Sequence, residues 1–326
     1  MSTLYPLKFK PQHKDTVWGG QRLNTLMNKH FPTDKKIGES WELSGVPERL
    51  SVVTNGYLKG NNLEELAEIY MGELLGDKVY EQFNIEFPLL VKFIDAADML
   101  SVQVHPDDAT AAERHNAYGK TEMWVVLAAD EGAGVYVGLN ENLTAQTFYK
   151  HTQNGTLPEV LHFEAVAPGD VFFIPSGTIH AIGKGVLLAE IQQTSDVTYR
   201  IYDWGREYNS ATARDMHTDL AIDVMDYEAN KVHKVKYVCQ PDTAVNLVQC
   251  PYFTTNLLEL HKPAERLLAE YDSFVIYICL EGAATFTCRR TKETIKENET
   301  MLVPAAIADL IIEPEPNAKL LEVYIT

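Results

Sequence analysis

The stretch that decides the fold lies at residues 169–180 and reads GDVFFIPSGTIH. A turn leads into four apolar residues, and a Pro-Ser-Gly turn follows with His180 at its exit, a pattern typical of a short buried strand and a tight turn. Residues 298–309, NETMLVPAAIAD, repeat this order, with Asp309 in the place of His180. The repeat predicts two related barrels, of which only the first keeps its polar residue.

Alternating apolar and polar residues extend this strand pattern in both directions. Period-two alternation continues from Pro88 to about Asp203, and a second run of short strands begins near Val235. Many short strands with regular turns are typical of a β-sandwich or closed barrel. The chain is therefore predicted to be mainly β, with a larger region at residues 1–234 and a smaller β-domain at residues 235–326. Apolar periodicity and end signals also predict helices at residues 62–76, 107–116 and 214–227, and C-terminal strands at residues 253–259, 273–280, 284–289, 300–303 and 319–324.

Composition limits the partners of this chain. The 326 residues carry a formal net charge of −18, which disfavours nucleic acid and anionic membranes because both reward basic patches. An anionic substrate would need a local cluster of Lys and Arg. There is no apolar run long enough to span a bilayer and no apparent signal peptide, and the four cysteines form no CxxC pair. We therefore expect free thiols and a cytoplasmic protein.

Two strand-like stretches and one turn supply candidate metal ligands. In LSVQVHP, residues 100–106, Leu100, Val102 and Val104 are predicted to face one layer, and Ser101, Gln103 and His105 the other. Residues 120–124, KTEMW, place Lys120, Glu122 and Trp124 on one side of a strand. An amide, a carboxylate and two imidazoles, with no thiolate, suit Zn²⁺ well and Fe²⁺, Mn²⁺ or Co²⁺ acceptably. The predicted set is Gln103, His105, Glu122 and His180; the alternative is that each is a solvated or hydrogen-bonded strand residue.

Further polar residues lie in otherwise apolar or alternating strands. Lys92 interrupts an apolar strand, so its ammonium group must be paired or reach water. Arg200 either pairs structurally with Asp196 or Asp203, or binds an anion. Glu190 is a candidate base or a partner of a metal ligand. The remaining histidines share no pattern and are interpreted as structural or surface residues; they are His13, His30, His115, His151, His162, His217, His233 and His261.

At this point the sequence resembles a known family, the type I phosphomannose isomerases. Residues 100–108, LSVQVHPDD, resemble the Q-x-H-P-D segment of that family, and residues 120–122 its K-x-E. Residues 175–181, PSGTIHA, resemble its histidine turn. The likeness extends in order along the whole chain, through Trp18-Gly19, residues 37–42 (IGESWE), Glu190, Ser195-Asp196, Arg200 and residues 214–217 (RDMH).

The resemblance implies a cupin jelly-roll fold with two related β-domains. It implies a metal-binding catalytic barrel within residues 1–234, a small helical segment at about residues 60–83 and a metal-free barrel at residues 235–326. It also implies one Zn²⁺ per chain, bound by Gln103, His105, Glu122 and His180, and functional roles for Lys92, Ser101, Lys120, Glu190, Asp196 and Arg200. Gly119 and Ile182 depart from residues common in longer members, so the chain is similar to the short bacterial form.

The activity implied is the interconversion of mannose 6-phosphate and fructose 6-phosphate through a cis-enediol. In this hypothesis Arg200 stabilises the developing charge, and Lys92, Lys120 and Ser101 contact hydroxyl or phosphate groups. The base stays open among Glu190, Asp196, Lys120 and metal-bound water. We expect a monomer or weak homodimer. The alternatives are another metal-cupin enzyme, such as a phosphoglucose isomerase or an Fe²⁺ dioxygenase, and a non-catalytic sugar-phosphate-binding protein.

Overall fold

The computed structural model describes residues 3–325 except Ser210, Thr212 and Arg290. Most of the regular structure in these residues is β-strand. The strands are β1 (Leu7–Lys8), β2 (Gln12–Gly20), β3 (Ile37–Ser44), β4 (Leu89–Ala96), β5 (Val102–Val104), β6 (Glu122–Ala129), β7 (Gly134–Leu139), β8 (Leu161–Ala165), β9 (Val171–Ile174), β10 (His180–Ile182), β11 (Val186–Gln193), β12 (Tyr199–Tyr202), β13 (Lys234–Val235), β14 (Ala244–Gln249), β15 (Thr254–Leu260), β16 (Ala264–Leu267), β17 (Val275–Cys288), β18 (Thr291–Lys296), β19 (Thr300–Val303) and β20 (Asp309–Tyr324).

The helices are short. The α-helices are α1 (Arg22–Thr25), α2 (Leu63–Tyr70), α3 (Gly72–Leu75), α4 (Asp77–Phe83), α5 (Asp108–His115), α6 (Ala145–Asn154) and α7 (Thr218–Val224), and 3₁₀ turns lie at Pro47–Arg49, Leu157–Glu159 and Arg206–Tyr208. Within the described part of the chain, no helix has the length and apolar character needed to cross a membrane.

The chain divides into two compact units that alternate along the sequence. One contains Met1–Gln12, Glu42–Leu90 and Lys236–Thr326, and the other contains His13–Trp41 and Val91–Val235. In the first, β1 pairs antiparallel with β19, and the amides of Phe274 and Ala305 donate to the carbonyls of Leu75 and Leu74. These long-range hydrogen bonds group the predicted helical segment with the C-terminal strands. These two units do not coincide with the predicted domains at residues 1–234 and 235–326, because each unit combines separate segments of the chain. The assignment of catalysis to residues 1–234 stays a prediction.

The unit that contains residues 91–235 has two antiparallel sheets. Five strands run in the order β12-β5-β10-β7-β8, and seven in the order β13-β9-β6-β11-β4-β2-β3. Side chains of both sheets form one core, in which Trp124 and Phe172 come from the larger sheet and Val135 and Ile182 from the smaller. Burial of such a side chain contributes about 1.5–3 kcal/mol to folding. Polar residues on the same strand faces as this core must therefore be paired or bind a ligand.

A second apolar cluster in this unit fixes the direction of β5. Val102 and Val104 pack with Phe148 of α6 and with Tyr199 and Ala221. Alternation along the strand then places Gln103 on the opposite face. Leu100 was predicted in the same layer as the two valines, and this is wrong: Leu100 precedes β5 and packs in the core between the sheets. Alternation did not hold at this position because strand geometry begins only at Val102.

The other compact unit contains one eight-stranded antiparallel sheet. Its main order is β1-β19-β17-β20-β15-β14, and β16 and β18 pair with β20 and β17. The turn of the predicted repeat is present in both copies, since the amides of Thr178 and Ile307 donate to the carbonyls of Pro175 and Pro304. His180 and Asp309 each begin a strand after this turn, but His180 is buried and Asp309 is exposed.

The predicted helices at residues 107–116 and 214–227 and most strands are confirmed, with three corrections. The helix predicted over residues 62–76 is two helices, α2 and α3, because the chain breaks at Met71, at φ +48°. Asn62 caps α2 in a capping box, and α5 and α7 lie within their predicted segments. The predicted strands at residues 273–280 and 284–289 form one strand, β17, because Gly282, at φ +74°, produces a register shift instead of a reversal. Helix α6 was not predicted: its buried hydrophobic residue is Phe148, so apolar periodicity is weak and only the Thr144 capping box marks its start.

Candidate active site

Four side chains predicted as metal ligands come together from separate strands. Gln103 of β5 and His180 of β10 are paired across neighbouring strands. Glu122 begins β6, and His105 follows the end of β5. The Nε2 atom of His105 is 3.6 Å from Glu122 Oε2, and that of His180 is 3.4 Å from Glu122 Oε1. Gln103 Nε2 lies 3.2 Å from His180 Nε2. The convergence that the alternation pattern predicted is therefore present.

The backbone sets which nitrogen each histidine presents to Glu122. His105 Nδ1 lies 3.0 Å from the carbonyl oxygen of Val197, and His180 Nδ1 lies 2.9 Å from that of Thr178. A carbonyl only accepts, so each Nδ1 must donate, and the neutral imidazole then has a free electron pair on Nε2. Both Nε2 atoms thus face the carboxylate as potential metal ligands.

The histidines are held neutral by their surroundings. Burial, with the positive charge of Lys120 and the neighbouring ring of His180, lowers the pKa of His105 well below its ordinary value. Burial is also the main cause that lowers the pKa of His180 to about 4, and Lys120 adds to it. A neutral imidazole is the form that binds a metal ion, so these shifts favour coordination near neutral pH.

Glu122 is buried, and its carboxylate is incompletely satisfied. Neither oxygen accepts a hydrogen bond of ordinary geometry, although Lys120 Nζ lies 3.1 Å from Oε2. A buried carboxylate without hydrogen-bond donors is costly, and an absent ligand is one of the few explanations. Ligand atoms of His105, Glu122 and His180 all lie within 4.8 Å of one another. This buried triad can hold a metal ion.

A row of buried charges lies on neighbouring strands of the larger sheet. Lys92 Nζ lies 2.9 Å from Glu190 Oε1 and 3.5 Å from Glu39 Oε2. The indole N–H groups of Trp41 and Trp124 donate to Glu39 and Glu190 at 2.7 and 2.9 Å. Of the two alternatives for Lys92, pairing or reaching water, these contacts show pairing, and it is with two carboxylates.

The carboxylates of this row have opposite pKa shifts. Burial favours the neutral form of Glu39, but the charges of Lys92 and Lys14 and the bond from Trp41 outweigh it and lower the pKa of Glu39 to about 2. Burial and the charge of Glu122 raise the pKa of Glu190, although Lys92 opposes them. Glu39 is thus a fixed anion, whereas Glu190 binds a proton more readily.

A cavity of about 410 Å³ opens beside these groups. Its lining includes the apolar residues Trp18, Ile94 and Ile182. The predicted site residues that line it are Lys92, Ser101, Gln103, Lys120, Glu190, Asp196 and Arg200. The other three predicted ligands are adjacent, because Lys120 Nζ contacts His105 and Glu122 at 3.1 Å and His180 contacts Gln103.

Two arginines lie in the lining of the cavity. Arg200 Nε donates to Ser101 Oγ at 3.3 Å, and Nη1 donates to the carbonyl of Asp215 at 2.7 Å. Arg214 is held by Asp203, with Nη2 to Oδ1 at 2.6 Å. Burial, and next the charge of Arg214, lowers the pKa of Arg200. Two guanidinium groups whose charges oppose each other favour an anion between them.

Asp196 lies in a different setting from the other predicted acid, Glu190. Its carboxylate is 50% exposed and lies 3.1 and 3.2 Å from Lys14 Nζ through its two oxygens. The predicted alternative that Arg200 pairs with Asp196 or Asp203 is not what these contacts show: Asp196 pairs with Lys14, and Asp203 pairs with Arg206 and Arg214.

Four charged residues of the cavity were missed as site residues. They are Lys14, Asp15, Glu39 and Arg214. Glu39 and Arg214 stand in segments that carried the family resemblance, IGESWE and RDMH, which was the only signal for them. Nothing in the sequence around Lys14 and Asp15 distinguishes them from surface residues.

Comparison with known proteins agrees with this geometry. Residues 6–130 match the family model described as phosphomannose isomerase type I, catalytic domain. A mannose-6-phosphate isomerase of Streptococcus mutans serotype c is 34% identical over 304 residues, which cover 93% of each chain. A mannose-6-phosphate isomerase of Bacillus subtilis is 34% identical over 319 residues, covering 95% of this chain and 96% of that one.

A solved structure extends the likeness to three dimensions. The crystal structure of a mannose 6-phosphate isomerase from Bacillus subtilis matches with a TM-score of 0.86 at 28% identity, over 99% of this chain and 100% of that one. The fold and the buried triad therefore define a mainly β protein of the cupin class with a candidate metal site. The chain belongs to the type I phosphomannose isomerase family, a family of aldose–ketose isomerases.

Proposed function

We propose that this chain interconverts mannose 6-phosphate and fructose 6-phosphate, with one zinc ion per chain, by proton transfer between C1 and C2 through a cis-enediol. The observation that carries the proposal is the buried carboxylate of Glu122. Its oxygens accept no hydrogen bond of ordinary geometry and face the Nε2 atoms of two histidines beside a cationic cavity. The reaction is that of the named relatives, to which the chain is 34% identical.

The donor set supports a divalent metal ion. We assign His105, Glu122 and His180 as ligands, and Gln103 as the fourth once its amide is turned so that the oxygen faces His180. Five of the buried charged residues lie at this site. Glu39, Lys92, Lys120, Glu122 and Glu190 carry three negative and two positive charges, a net of −1, which a divalent cation would change to +1. A zinc ion bound there would act as a Lewis acid toward oxygens of an enediolate.

The cationic residues support an anionic sugar. Arg200, with Ser101 and Arg214 beside it, fits a phosphate or a developing oxyanion, because guanidinium groups bind such oxygens through paired N–H groups. Lys92 and Lys120 present buried ammonium groups to the cavity and are assigned to sugar oxygens. This arrangement supplies the local positive charge that a chain of net charge −18 requires for an anionic substrate.

Glu190 is the better of the two acids for moving a proton. It is buried, lines the cavity and has a raised pKa, whereas Asp196 is half exposed and paired with Lys14. We therefore assign proton transfer to Glu190 and place Asp196 at the mouth of the cavity. Replacement Glu190→Gln should lower kcat while zinc content is unchanged.

A coupled assay of fructose 6-phosphate formation from mannose 6-phosphate tests the proposal. Zinc-loaded protein should be active, chelation should abolish turnover, and zinc should restore it. In D₂O the product should gain solvent deuterium at C1, since an enediol exchanges its proton and a hydride shift does not. Absence of turnover by zinc-loaded protein, or faster turnover of glucose 6-phosphate, would contradict the assignment.

A further inference from the structure

Glu39 is a buried acid to which the proposed reaction gives no role. It lies in β3, whose eight residues are all buried, and its side chain is 9% exposed. A carboxylate in such a place costs folding free energy unless its partners compensate for lost water. Its partners are the Trp41 indole and the ammonium group of Lys92.

Lys92 has more negative charge around it than its own burial requires. Glu190 at 2.9 Å would by itself neutralise the ammonium group, yet Glu39 is a second carboxylate at 3.5 Å. A buried ion pair is weak evidence for stability, because desolvation can cost as much as the attraction returns. Buried, strongly interacting charges are instead concentrated at functional sites.

The geometry of the ammonium group shows what the second carboxylate achieves. An ammonium group has three N–H donors, and with one directed at Glu190 it could still rotate about that bond. Attraction to Glu39 restricts this rotation, and Lys92, Glu39 and Glu190 all line the same cavity. Glu39 is itself fixed, because the Trp41 N–H donates to the oxygen that faces Lys92. One donor of Lys92 is then free for a ligand in the cavity.

We propose that Glu39 is a positioning residue for the reaction: it orients the Lys92 ammonium group so that its remaining donor contacts an oxygen of the sugar phosphate. This inference rests on the proposed function for its substrate. Glu39 acts through Lys92 and does not touch the sugar. Replacement of Glu39 should therefore weaken substrate binding in the wild-type background. In a variant that already lacks Lys92, the same replacement should have little further effect on binding.

A double-mutant cycle tests the coupling. Glu39→Gln removes the charge but keeps an oxygen that can accept from Trp41. We expect it to lower kcat/KM for mannose 6-phosphate by about tenfold or more, mainly through KM, because a misdirected donor is lost from the bound and transition states alike. In the Lys92→Met background the same change should alter kcat/KM by less than about threefold. Equal effects in both backgrounds, or an unaltered KM in Glu39→Gln, would overturn the proposal.

A matched control separates positioning from damage to the fold. Glu322→Gln changes a buried, cation-paired carboxylate in the other compact unit, and should lower the melting temperature without altering KM. Zinc per chain is measured for every variant. If Glu39→Gln loses zinc in proportion to activity, its role is structural and the proposal fails. Glu39→Asp, which keeps the charge one methylene further back, should restore part of the affinity.

Crystal structures of the zinc-loaded wild type and Glu39→Gln distinguish this proposal from the proposed function. Movement of Lys92 Nζ by about 1 Å or more, or its spread over two positions, supports positioning even if mannose 6-phosphate is not turned over. An unmoved Nζ overturns positioning whatever the substrate is. Failure of the wild-type assay alone counts only against the proposed function.

Discussion

Two buried glutamates, one in each compact unit, have opposite surroundings. Glu322 in β20 receives hydrogen bonds from Arg266 at 2.6 and 2.9 Å, from the hydroxyl of Tyr277 at 2.8 Å and from Asn256 at 3.2 Å. Glu122 is equally buried, but its oxygens accept no hydrogen bond of ordinary geometry. A fully paired buried acid supports a fold, whereas an incompletely paired one that faces two imidazole Nε2 atoms indicates a ligand site.

The largest expected effect follows from removing the incompletely paired acid. Glu122→Gln should remove the zinc and lower kcat/KM by about 1,000-fold or more, because a Lewis acid contributes several kcal/mol to the transition state. Zinc analysis and the coupled assay measure this. The metal-free variant should unfold at about the same temperature as the metal-free wild type, because the loss of the ion pair with Lys120 offsets the removal of a buried, incompletely paired charge. A large loss of stability in the metal-free form would contradict this comparison.

The corresponding change in the other unit should act only on stability. Glu322→Ala leaves the Arg266 guanidinium without its buried partner and should reduce the free energy of unfolding by about 3–5 kcal/mol. Urea unfolding measures the loss, and zinc content should stay at the wild-type value. The double variant Arg266→Met/Glu322→Leu, which replaces both charges by apolar side chains, should recover much of the lost free energy of unfolding. Loss of zinc in Glu322→Ala would show that the two regions are not independent.

A pH series tests the neutral histidines of the first region. The folded-state pKa of His180 is about 4, below the ordinary value of 6.5, so the unfolded chain binds the proton more readily. The contribution of neutral His180 to the free energy of unfolding is therefore fully present above pH about 6.5. It is lost as the pH falls toward about 4, and the loss is on the order of 3 kcal/mol. Thermal unfolding of metal-free protein between pH 7.5 and 4 measures it, with His180→Gln as the control. A wild-type curve parallel to that of the control would refute the assignment.

The smallest effect is expected at the mouth of the cavity. Lys14 and Asp196 form an ion pair with side chains 30% and 50% exposed, where solvent weakens the attraction. Lys14→Met should change the free energy of unfolding by no more than about 0.5 kcal/mol. Asp196→Asn should lower kcat less than Glu190→Gln does. A larger kcat loss in Asp196→Asn would transfer the proton-moving role to Asp196.

Much of the site was predictable because it lies on regular strands. Alternation placed Gln103 on one face of β5, and the turn before His180 placed that ring opposite it. The Lys120 and Glu122 spacing likewise gave two side chains that contact each other. Glu39 was not found, because its function depends on Lys92 and Glu190, which are far away in sequence and adjacent only across neighbouring strands.

Sequence alone determined the strand-rich class, the helix caps such as Asn62, and the identity of the candidate ligands, because these depend on residue type and on local periodicity. Only the tertiary structure decided which charges meet, that Lys92 lies between two carboxylates, and that residues 42–90 group with the C-terminal strands. The physical reason is the distance along the chain over which each interaction acts. Alternation and capping act over a few residues, whereas pairing between strands and the desolvation of charges depend on neighbours that folding brings together.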